Sequence, residues 1–396
     1  MSSAFGWLDT DSDQRKKMLE VVDLFRESGT LDELGIGSIR DALSDALFPG
    51  TSTLHRRLRY VLFIPWLLQQ AGRKDTPDEM RDELRALEIK LITSLLAGGE
   101  KEGVIGNTAR DDLVQMPSSM YWSALGAWGI REVDSPAAYF RRQHDCRTLS
   151  RRIAAADDPG AAEVQPSTGI EPHLPVAPAN LLGSTTFTLT PQEEQYLSDQ
   201  ISRSTRGTVL GWLVRNPPLN RPDFIWDIDN LADAPTESRE LIAHAQRFSL
   251  AIQGASLLYN LLVAERARRD ELAESYRRQL ISWHDEVHAS ELLEGWDRGS
   301  WWSTIHAQNQ RVRGGLTQTF VDRWLDLAGT QASVAHSDEA RRLIEARERQ
   351  IKGGRARLAN QAALDRWTGG GVGRHSFRWP VALSHLQDLY SARRAS

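Results

Sequence analysis

Apolar side chains recur along most of this chain with the period of an α-helix. An amphipathic helix is predicted over residues 12–27, because four apolar side chains there lie on one helical face: Met18, Val21, Val22 and Phe25. Residues 53–70 are apolar around much of the helical circumference, which predicts a buried helix. Residues 237–294 contain no proline and one glycine, Gly254. This pattern predicts either one very long helix or two helices packed against each other, and the second arrangement is favoured.

Helix starts are marked by capping residues. The sequences Thr76-Pro77-Asp78-Glu79 and Thr190-Pro191-Gln192-Glu193 each place Thr at the cap, Pro at the first turn and Glu three residues after the cap. Ser135-Pro136 predicts a third start of the same kind. Strand patterns are weak, and residues 185–189 are the best short candidate. The prediction is a mainly α, multi-helix protein with little β-structure.

The texture of the chain changes between residues 157 and 183, where five prolines and three glycines replace the helical periodicity. Such a composition is typical of an exposed linker or a long loop. We therefore predict two main domains. A helical domain spans residues 1–156, and a second one spans residues 184–396 and ends in a basic, glycine-rich tail over residues 341–396.

Composition narrows the class of protein. The 396 residues are 40% hydrophobic and 26% charged, which is ordinary for a globular protein. Cys146 is the single cysteine, so no intrachain disulfide forms, as expected in a reducing compartment. The first residues lack the pattern of a secretory signal. The longest apolar run, residues 60–68, is shorter than the roughly 20 residues that cross a bilayer. We expect a cytoplasmic protein with no membrane partner.

Charge is distributed unevenly. Residues 341–396 hold twelve Arg and Lys against four Asp and Glu, a balance of +8, while the whole chain is −5, so the first 340 residues carry −13. A basic, glycine-punctuated tail favours a polyanionic partner such as nucleic acid. The alternative is that the tail pairs with the acidic remainder of the chain.

Two loops of the tail supply the candidate nucleic-acid contacts. Paired glycines let the backbone approach a ligand, and flanking cations neutralise its phosphates. Nearby aromatic side chains offer stacking surfaces for bases, unless they fill the core instead. The predicted phosphate contacts are Lys352, Arg355, Arg357, Arg374 and Arg378, and the aromatic candidates are Trp367, Phe377 and Trp379.

Catalytic motifs are weak. His284 and His288 have the spacing that lets two imidazoles bind one zinc ion, but no third ligand is evident, so a metal-dependent hydrolase is only an alternative hypothesis. Asp78 and Glu88 resemble the acidic pair of metal-dependent nucleases, yet they lie about 15 Å apart along one predicted helix. No lysine follows a glycine, which excludes a P-loop. The sequence favours a protein that is not an enzyme and predicts no cofactor and no metal.

One further nucleic-acid hypothesis rests on helix spacing. Residues 105–130 have the length of a helix–turn–helix, with Ser118 or Ser119 as the cap of its second helix. The second helix is poor in the side chains that read base edges. Ordinary packing of a helical hairpin is therefore the favoured interpretation.

Four stretches, residues 5–9, 32–42, 47–53 and 352–379, together resemble an uncharacterised bacterial family that is known only as a domain of unknown function. The resemblance spans nearly the whole chain. It implies an association with gene neighbourhoods of anti-phage defence and DNA-processing enzymes, and it supplies no catalytic residues.

Three functional hypotheses follow. The leading one is an accessory, nucleic-acid-contacting subunit of a bacterial anti-phage defence or DNA-processing assembly. The second is a protein–protein scaffold of such an assembly without nucleic-acid contact, and the third is the hydrolase centred on the two histidines.

Overall fold

The computed structural model describes residues 32–155, 168–330 and 333–395. Within these residues the chain forms fourteen α-helices joined by turns and short 3₁₀ segments, and its only β-pairing is an isolated bridge between Arg131 and Ile170. The predicted mainly α fold is confirmed. The helix predicted over residues 12–27 lies outside the described part of the chain.

The helices follow one another in chain order without a sheet between them in the described residues. They are α1 (Gly37–Leu47), α2 (Tyr60–Ala71), α3 (Pro77–Ala97), α4 (Pro117–Ala127), α5 (Pro136–Ala155), α6 (Pro191–Ser204), α7 (Val209–Arg215), α8 (Thr236–Arg266), α9 (Asp270–Ser290), α10 (Arg298–Gln308), α11 (Leu316–Ala328), α12 (Asp338–Lys352), α13 (Gln361–Asp365) and α14 (Trp379–Ala395).

Three predicted helix starts are confirmed. Thr76 and Thr190 each accept a hydrogen bond from the backbone N–H of the glutamate three residues later, and that glutamate accepts one from the backbone of the cap. Ser135 Oγ accepts a hydrogen bond from Ala138 N at 3.1 Å. These side chains satisfy backbone donors that the first turn of a helix leaves free.

The structure divides the chain differently from the predicted domains. A first unit comprises Met1–Ser44, of which residues 32–44 are described, and Glu240–Phe377. A second unit comprises Asp45–Arg239 and Arg378–Ser396. The boundary predicted at residues 157–183 therefore falls inside the second unit, because each unit is assembled from segments that lie far apart in the chain.

The described part of the predicted linker, residues 168–183, is anchored to helices of the second unit. Trp66 Nε1 donates to Pro175 O at 2.6 Å, and Ser94 Oγ donates to Leu181 O at 2.6 Å. Both donors are buried, so the two carbonyls replace the water that these groups would otherwise lose. Residues 168–183 thus form a long loop, one of the two predicted alternatives, which is anchored at buried points although several of its residues are exposed.

The buried helix predicted over residues 53–70 begins later, at Tyr60, and ends at Ala71. Its start is displaced because backbone donors ahead of it have partners elsewhere in the second unit. Arg56 N donates to Tyr121 Oη at 2.7 Å, and Leu58 N donates to the carboxylate of Asp388 at 2.9 Å. The helix itself is buried around most of its circumference, as predicted.

Residues 185–189 form no strand, contrary to the prediction. Their backbone groups bond to helices and side chains of the second unit instead of to another strand. Thr185 N donates to Ser94 O, Phe187 N donates to the Glu100 carboxylate, and Arg59 donates to Thr186 O. Phe187 and Leu189 are nevertheless buried, so an irregular segment places its apolar side chains in the core.

The segment over residues 237–294 forms two helices, α8 and α9, as predicted. Tryptophans from neighbouring helices bond to the backbone of α8 in the first unit: Trp283 Nε1 donates to Leu250 O at 2.7 Å, and Trp324 Nε1 donates to Ala251 O at 2.8 Å. Gly254 makes room for this packing, because a Cβ there would lie 2.3 Å from the ring of Trp283.

We expect Gly254→Ala to lower the free energy of unfolding by about 1–3 kcal/mol, since an added methyl overpacks the contact with Trp283. Helix propensity alone predicts the opposite sign, a gain of about 1 kcal/mol. Urea denaturation of the two proteins decides between them. A more stable variant would show that the ring moves aside at little cost.

Helix α8 is long and apolar enough to cross a membrane by length and composition alone. Its best 18-residue window has a mean hydropathy of 1.2 and is 83% buried inside the structure. A core helix has the same properties, so this single helix is weak evidence for a membrane span. The apolar run of residues 60–68 lies in the shorter helix α2.

Candidate nucleic-acid interface

Two of the predicted phosphate contacts are engaged with carboxylates of the first unit. Lys352 forms an ion pair with Glu33 and another with Glu348, the latter at 3.0 Å. Arg357 pairs with Glu33, and its guanidinium donates to Tyr259 Oη at 3.0 Å. The two cations and two carboxylates balance, so this cluster offers no net charge to a polyanion.

Glu348 is the centre of the cluster, and its side chain is fully buried. Burial by itself would raise its pKa. Hydrogen bonds from Leu358 N, Tyr259 Oη and Arg357 N, together with the charge of Lys352, lower the pKa of Glu348 below its ordinary value. Glu348 is therefore ionised at neutral pH. Its carboxylate accepts hydrogen bonds from Lys352, Arg357 N and Leu358 N, and so it links the two ends of this turn.

The carboxylate of Glu33 behaves in the same way. Burial opposes ionisation, but hydrogen bonds from Arg357 and Lys352 lower the pKa of Glu33. Because Glu33 precedes α1 in the chain, the ion pairs hold this early segment against the end of α12. The paired cations have a structural partner that a phosphate would have to displace.

The other predicted contacts are spread over both units. Arg374, in the first unit, pairs with Glu286 and donates to the amide oxygen of Gln253 at 3.1 Å. Arg378, in the second unit, pairs with Asp45 at 2.6 Å and donates to Thr51 O at 2.9 Å. The five predicted residues thus do not belong to one compact unit.

Arg355 differs from the other four. Its side chain is exposed, and it has no hydrogen-bond or ion-pair partner in the described part of the chain. The preceding Gly353 has φ +52°, and a Cβ on Gly353 or Gly354 would meet nothing within 4 Å. Of the cations predicted from the sequence, Arg355 is the one whose guanidinium remains available to a ligand.

The aromatic candidates of the tail fill the cores of their units. Trp367, Phe377 and Trp379 are 4%, 1% and 0% exposed. Trp379 Nε1 donates to Pro222 O at 2.9 Å in the second unit. Nucleic-acid bases cannot stack on rings that the protein already covers, so the interpretation of these side chains as a stacking surface is wrong.

The glycine-rich loop over residues 369–373 also contacts protein. A Cβ on Gly370 would lie 2.3 Å from Asn260 Oδ1, so the close approach that glycine permits there is to a side chain of the first unit. Gly370, Asn260, Tyr259 and His375 line a cavity of about 20 Å³. That volume is enough for about one water molecule, so it does not hold a nucleotide.

The helix–turn–helix hypothesis and the favoured helical hairpin are both wrong, because the first helix that each requires is absent. Between residues 105 and 116 the structure has only the three-residue 3₁₀ turn Arg110–Asp112. Positive φ values of +82° at Gly106 and +48° at Arg110 bend the chain there. The second helix, α4, begins at Pro117, and Ser118 lies within its first turn.

Neither sequence pattern of metal ligands is completed. His284 and His288 share one face of α9 with ring centroids 4.4 Å apart. In the described residues, no group of three or more His, Cys, Asp or Glu side chains is placed to hold a metal. Glu88 is buried at 2% exposure, whereas Asp78 on the same helix is 81% exposed, so these two carboxylates face different environments.

A larger and more cationic site lies in the second unit, where sequence analysis did not place one. A groove of about 580 Å³ is formed where α6 turns into α7. Its lining includes three arginines, one tryptophan and several hydroxyl side chains: Asp199, Ser202, Arg203, Arg206, Gly207, Thr208, Gly211, Trp212, Arg215, Pro235 and Ser238. We call this the basic groove.

The turn that forms the basic groove is built by short-range chemistry. Thr208 caps α7 by accepting a hydrogen bond from Gly211 N at 3.2 Å, and Gly207 takes φ +83°. A Cβ on Gly211 would lie 2.3 Å from Thr205 O. This glycine therefore lets α7 pack closely against the end of α6 and leaves the arginines of the turn at the surface.

The charge of the basic groove is not balanced. Arg203 and Arg206 are exposed, and neither has an ion-pair partner in the described part of the chain. Arg215 pairs with Asp199 at 2.6 Å. Hydrogen bonds from Gln195 and, to a smaller extent, from Arg215 lower the pKa of Asp199. Asp199 is therefore ionised, and its charge offsets that of Arg215. The charge of Arg203 also acts on Asp199, but the lining holds three arginines against one carboxylate, so the groove keeps a net charge of +2.

Sequence reasoning missed the basic groove because its arginines lie in an ordinary stretch of chain. The signal that was present is Arg203-Ser-Thr-Arg206-Gly207-Thr208, two arginines just before a glycine turn. It resembles the tail loops in composition. Nothing in its spacing distinguishes it from a solvated helix end.

The chain belongs to a family of unknown function, DUF6361, whose sequence pattern matches residues 1–393. The protein is thus a mainly α member of this family. No curated protein and no solved structure matches the chain.

Proposed function

We propose that this protein is an accessory, nucleic-acid-contacting subunit of a bacterial anti-phage defence or DNA-processing assembly. The proposed nucleic-acid contact rests on one observation, the basic groove, where Arg203 and Arg206 give the lining an excess of positive charge. Guanidinium groups suit phosphates because they are always charged and donate along a planar fork. The place in a defence or DNA-processing assembly rests on the resemblance of the sequence alone.

The structure changes which residues we assign to this contact. Lys352, Arg357, Arg374 and Arg378 hold carboxylates, and each would have to release one before it bound a phosphate. Arg355 has no such partner in the described residues and is retained. We therefore assign phosphate binding to Arg203 and Arg206 in the second unit and to Arg355 in the first.

Replacement of the two free arginines of the groove tests this proposal. Each phosphate contact releases condensed counterions, so the logarithm of the association constant falls with the logarithm of salt by about 0.7 per contact for single strands and about 0.9 for duplexes. Arg203→Ala/Arg206→Ala should flatten that slope by about 1.4–1.8 and weaken binding to unrelated sequences alike. Fluorescence anisotropy of labelled oligonucleotides over a salt series measures both quantities.

The matched control is Arg73→Ala/Arg221→Ala. These arginines are exposed in the same unit, lie outside the groove, and their loss changes the net charge by the same amount. The control should leave the slope nearly unchanged. Equal effects of the two double variants would show that only net charge matters. Failure of the wild type to bind DNA or RNA at low salt would overturn the proposal and favour a protein–protein scaffold.

A further inference from the structure

Trp212 gives the basic groove a feature that phosphate binding does not require. We propose that the groove holds an unpaired nucleotide, with its base stacked on Trp212 and its flanking phosphates on Arg203 and Arg206, so that its ligand is single-stranded nucleic acid. This inference rests on the proposed function and specifies the substrate class of the same site.

Trp212 supplies an aromatic side chain to the lining of the groove. Its side chain lines the groove and is only partly buried. It has no aromatic ring in contact with it in the described residues, whereas Trp122, another partly exposed tryptophan of the second unit, donates to Asp134 O and is covered by the guanidinium of Arg131. A partly exposed tryptophan beside arginines that have no ion-pair partner in the described residues is the combination that binds single strands without sequence preference.

Base geometry favours a single strand over a duplex. In a duplex both faces of each base are covered by neighbouring base pairs, so a protein ring can stack on a base only where that base is unpaired or splayed out. A groove of about 580 Å³ lies within the usual range for sites that enclose small ligands, roughly 300–1,000 Å³. That volume suits one nucleotide.

Hydroxyl groups near the ring add polar contacts. Ser202 Oγ already accepts a hydrogen bond from Arg215 Nε at 3.0 Å, which leaves its O–H free to donate toward the groove. Arg215 is held in place by both Ser202 and Asp199. These groups can hydrogen-bond to a base edge or sugar, and a single rotatable donor discriminates little between bases, so we expect weak sequence preference.

Affinities for three probes separate the possibilities: a single-stranded oligodeoxythymidine, a hairpin duplex with an equal number of phosphates, and thymidine monophosphate. We expect the wild type to bind the single strand at least tenfold more tightly than the duplex. Trp212→Leu, which keeps an apolar side chain but removes the stacking face, should weaken single-strand binding about tenfold. Its salt slope should stay unchanged because no cation is lost.

Trp212→Phe is the matched variant, because it keeps an aromatic face and should retain most of the affinity. The comparison of the three probes on the wild type needs no substitution, so it decides the question even if a variant fails to fold. Equal affinity for single strand and duplex would overturn this inference and leave the proposed function standing. Binding of the monophosphate as tightly as the oligomer would make the groove a nucleotide site and also overturn it. No binding of any probe would overturn the proposed function itself.

Discussion

Arg357→Ala is expected to lower the free energy of unfolding by about 2–4 kcal/mol, whereas Arg355→Ala should change it by less than about 0.5 kcal/mol. The two arginines are two residues apart and were both predicted to contact phosphate. Removal of Arg357 leaves Glu33 with one cation and removes a donor from Tyr259. Arg355 is exposed and has no partner in the described residues, so its loss disturbs little.

Urea denaturation followed by tryptophan fluorescence measures both variants. A double-mutant cycle with Glu33→Gln isolates the pair, because a neutral side chain at residue 33 no longer requires Arg357. A stable Arg357→Ala protein would show that the ion pairs contribute little and that this cation is free for a ligand. The comparison matters for binding studies as well, since Arg355→Ala tests phosphate contact without the loss of stability that Arg357→Ala carries.

The change in unfolding free energy caused by Glu88→Gln is expected to be more favourable at pH 8 than at pH 4, by up to about 3 kcal/mol. Glu88 lies inside the second unit, where it accepts hydrogen bonds from Ser118 N at 2.7 Å and Ser118 Oγ at 3.1 Å. Burial, only partly offset by those hydrogen bonds, raises the pKa of Glu88 to about 7 from an ordinary value near 4.5. The amide of glutamine keeps the shape and can keep both contacts without carrying a charge.

The sign follows from proton binding. Between pH 4.5 and 7 the folded state binds more protons at Glu88 than the unfolded state does, so the contribution of this residue to stability falls as pH rises and levels off above pH 7. A shift of about 2.5 pKa units corresponds to about 3 kcal/mol. The difference in unfolding free energy between Glu88→Gln and the wild type should therefore grow over this range, and other titrating groups cancel from it.

Asp82→Asn on the same helix is the control for Glu88→Gln, because Asp82 is 78% exposed. Its difference from the wild type should stay nearly flat with pH. A flat difference for Glu88→Gln as well would mean that water or a cation reaches the buried carboxylate.

Local chemistry explains which elements could be predicted. The capping boxes at Thr76 and Thr190 involve residues three apart, so their donors and acceptors are set before any tertiary contact forms. The division of residues 237–294 into two helices likewise follows from length and periodicity. In contrast, the start of α2 depends on Tyr121 and Asp388, which lie far away in the chain. No local pattern contains that information.

The same limit applies to the candidate sites. The sequence identified a basic tail, but its composition does not distinguish Arg355 from Arg357. Arg355 remains exposed, whereas Arg357 pairs with Glu33, which lies 324 residues earlier. From the sequence, Trp367 and Trp379 are suited to stacking on bases, but in the structure both are buried in the core. The basic groove escaped notice because Arg203, Arg206 and Trp212 become one site only when α7 turns back against α6.

By itself, the sequence determined that this protein is mainly α-helical, where several helices begin, and that positive charge concentrates toward its end. These properties depend on periodicity, capping and composition, which act over a few residues. Only the tertiary structure decided the two compact units, which cations are neutralised, and where a net positive charge lies beside a partly exposed tryptophan. Each of those outcomes depends on long-range pairing, since a charge is available to a ligand only if folding brings no opposite charge to it.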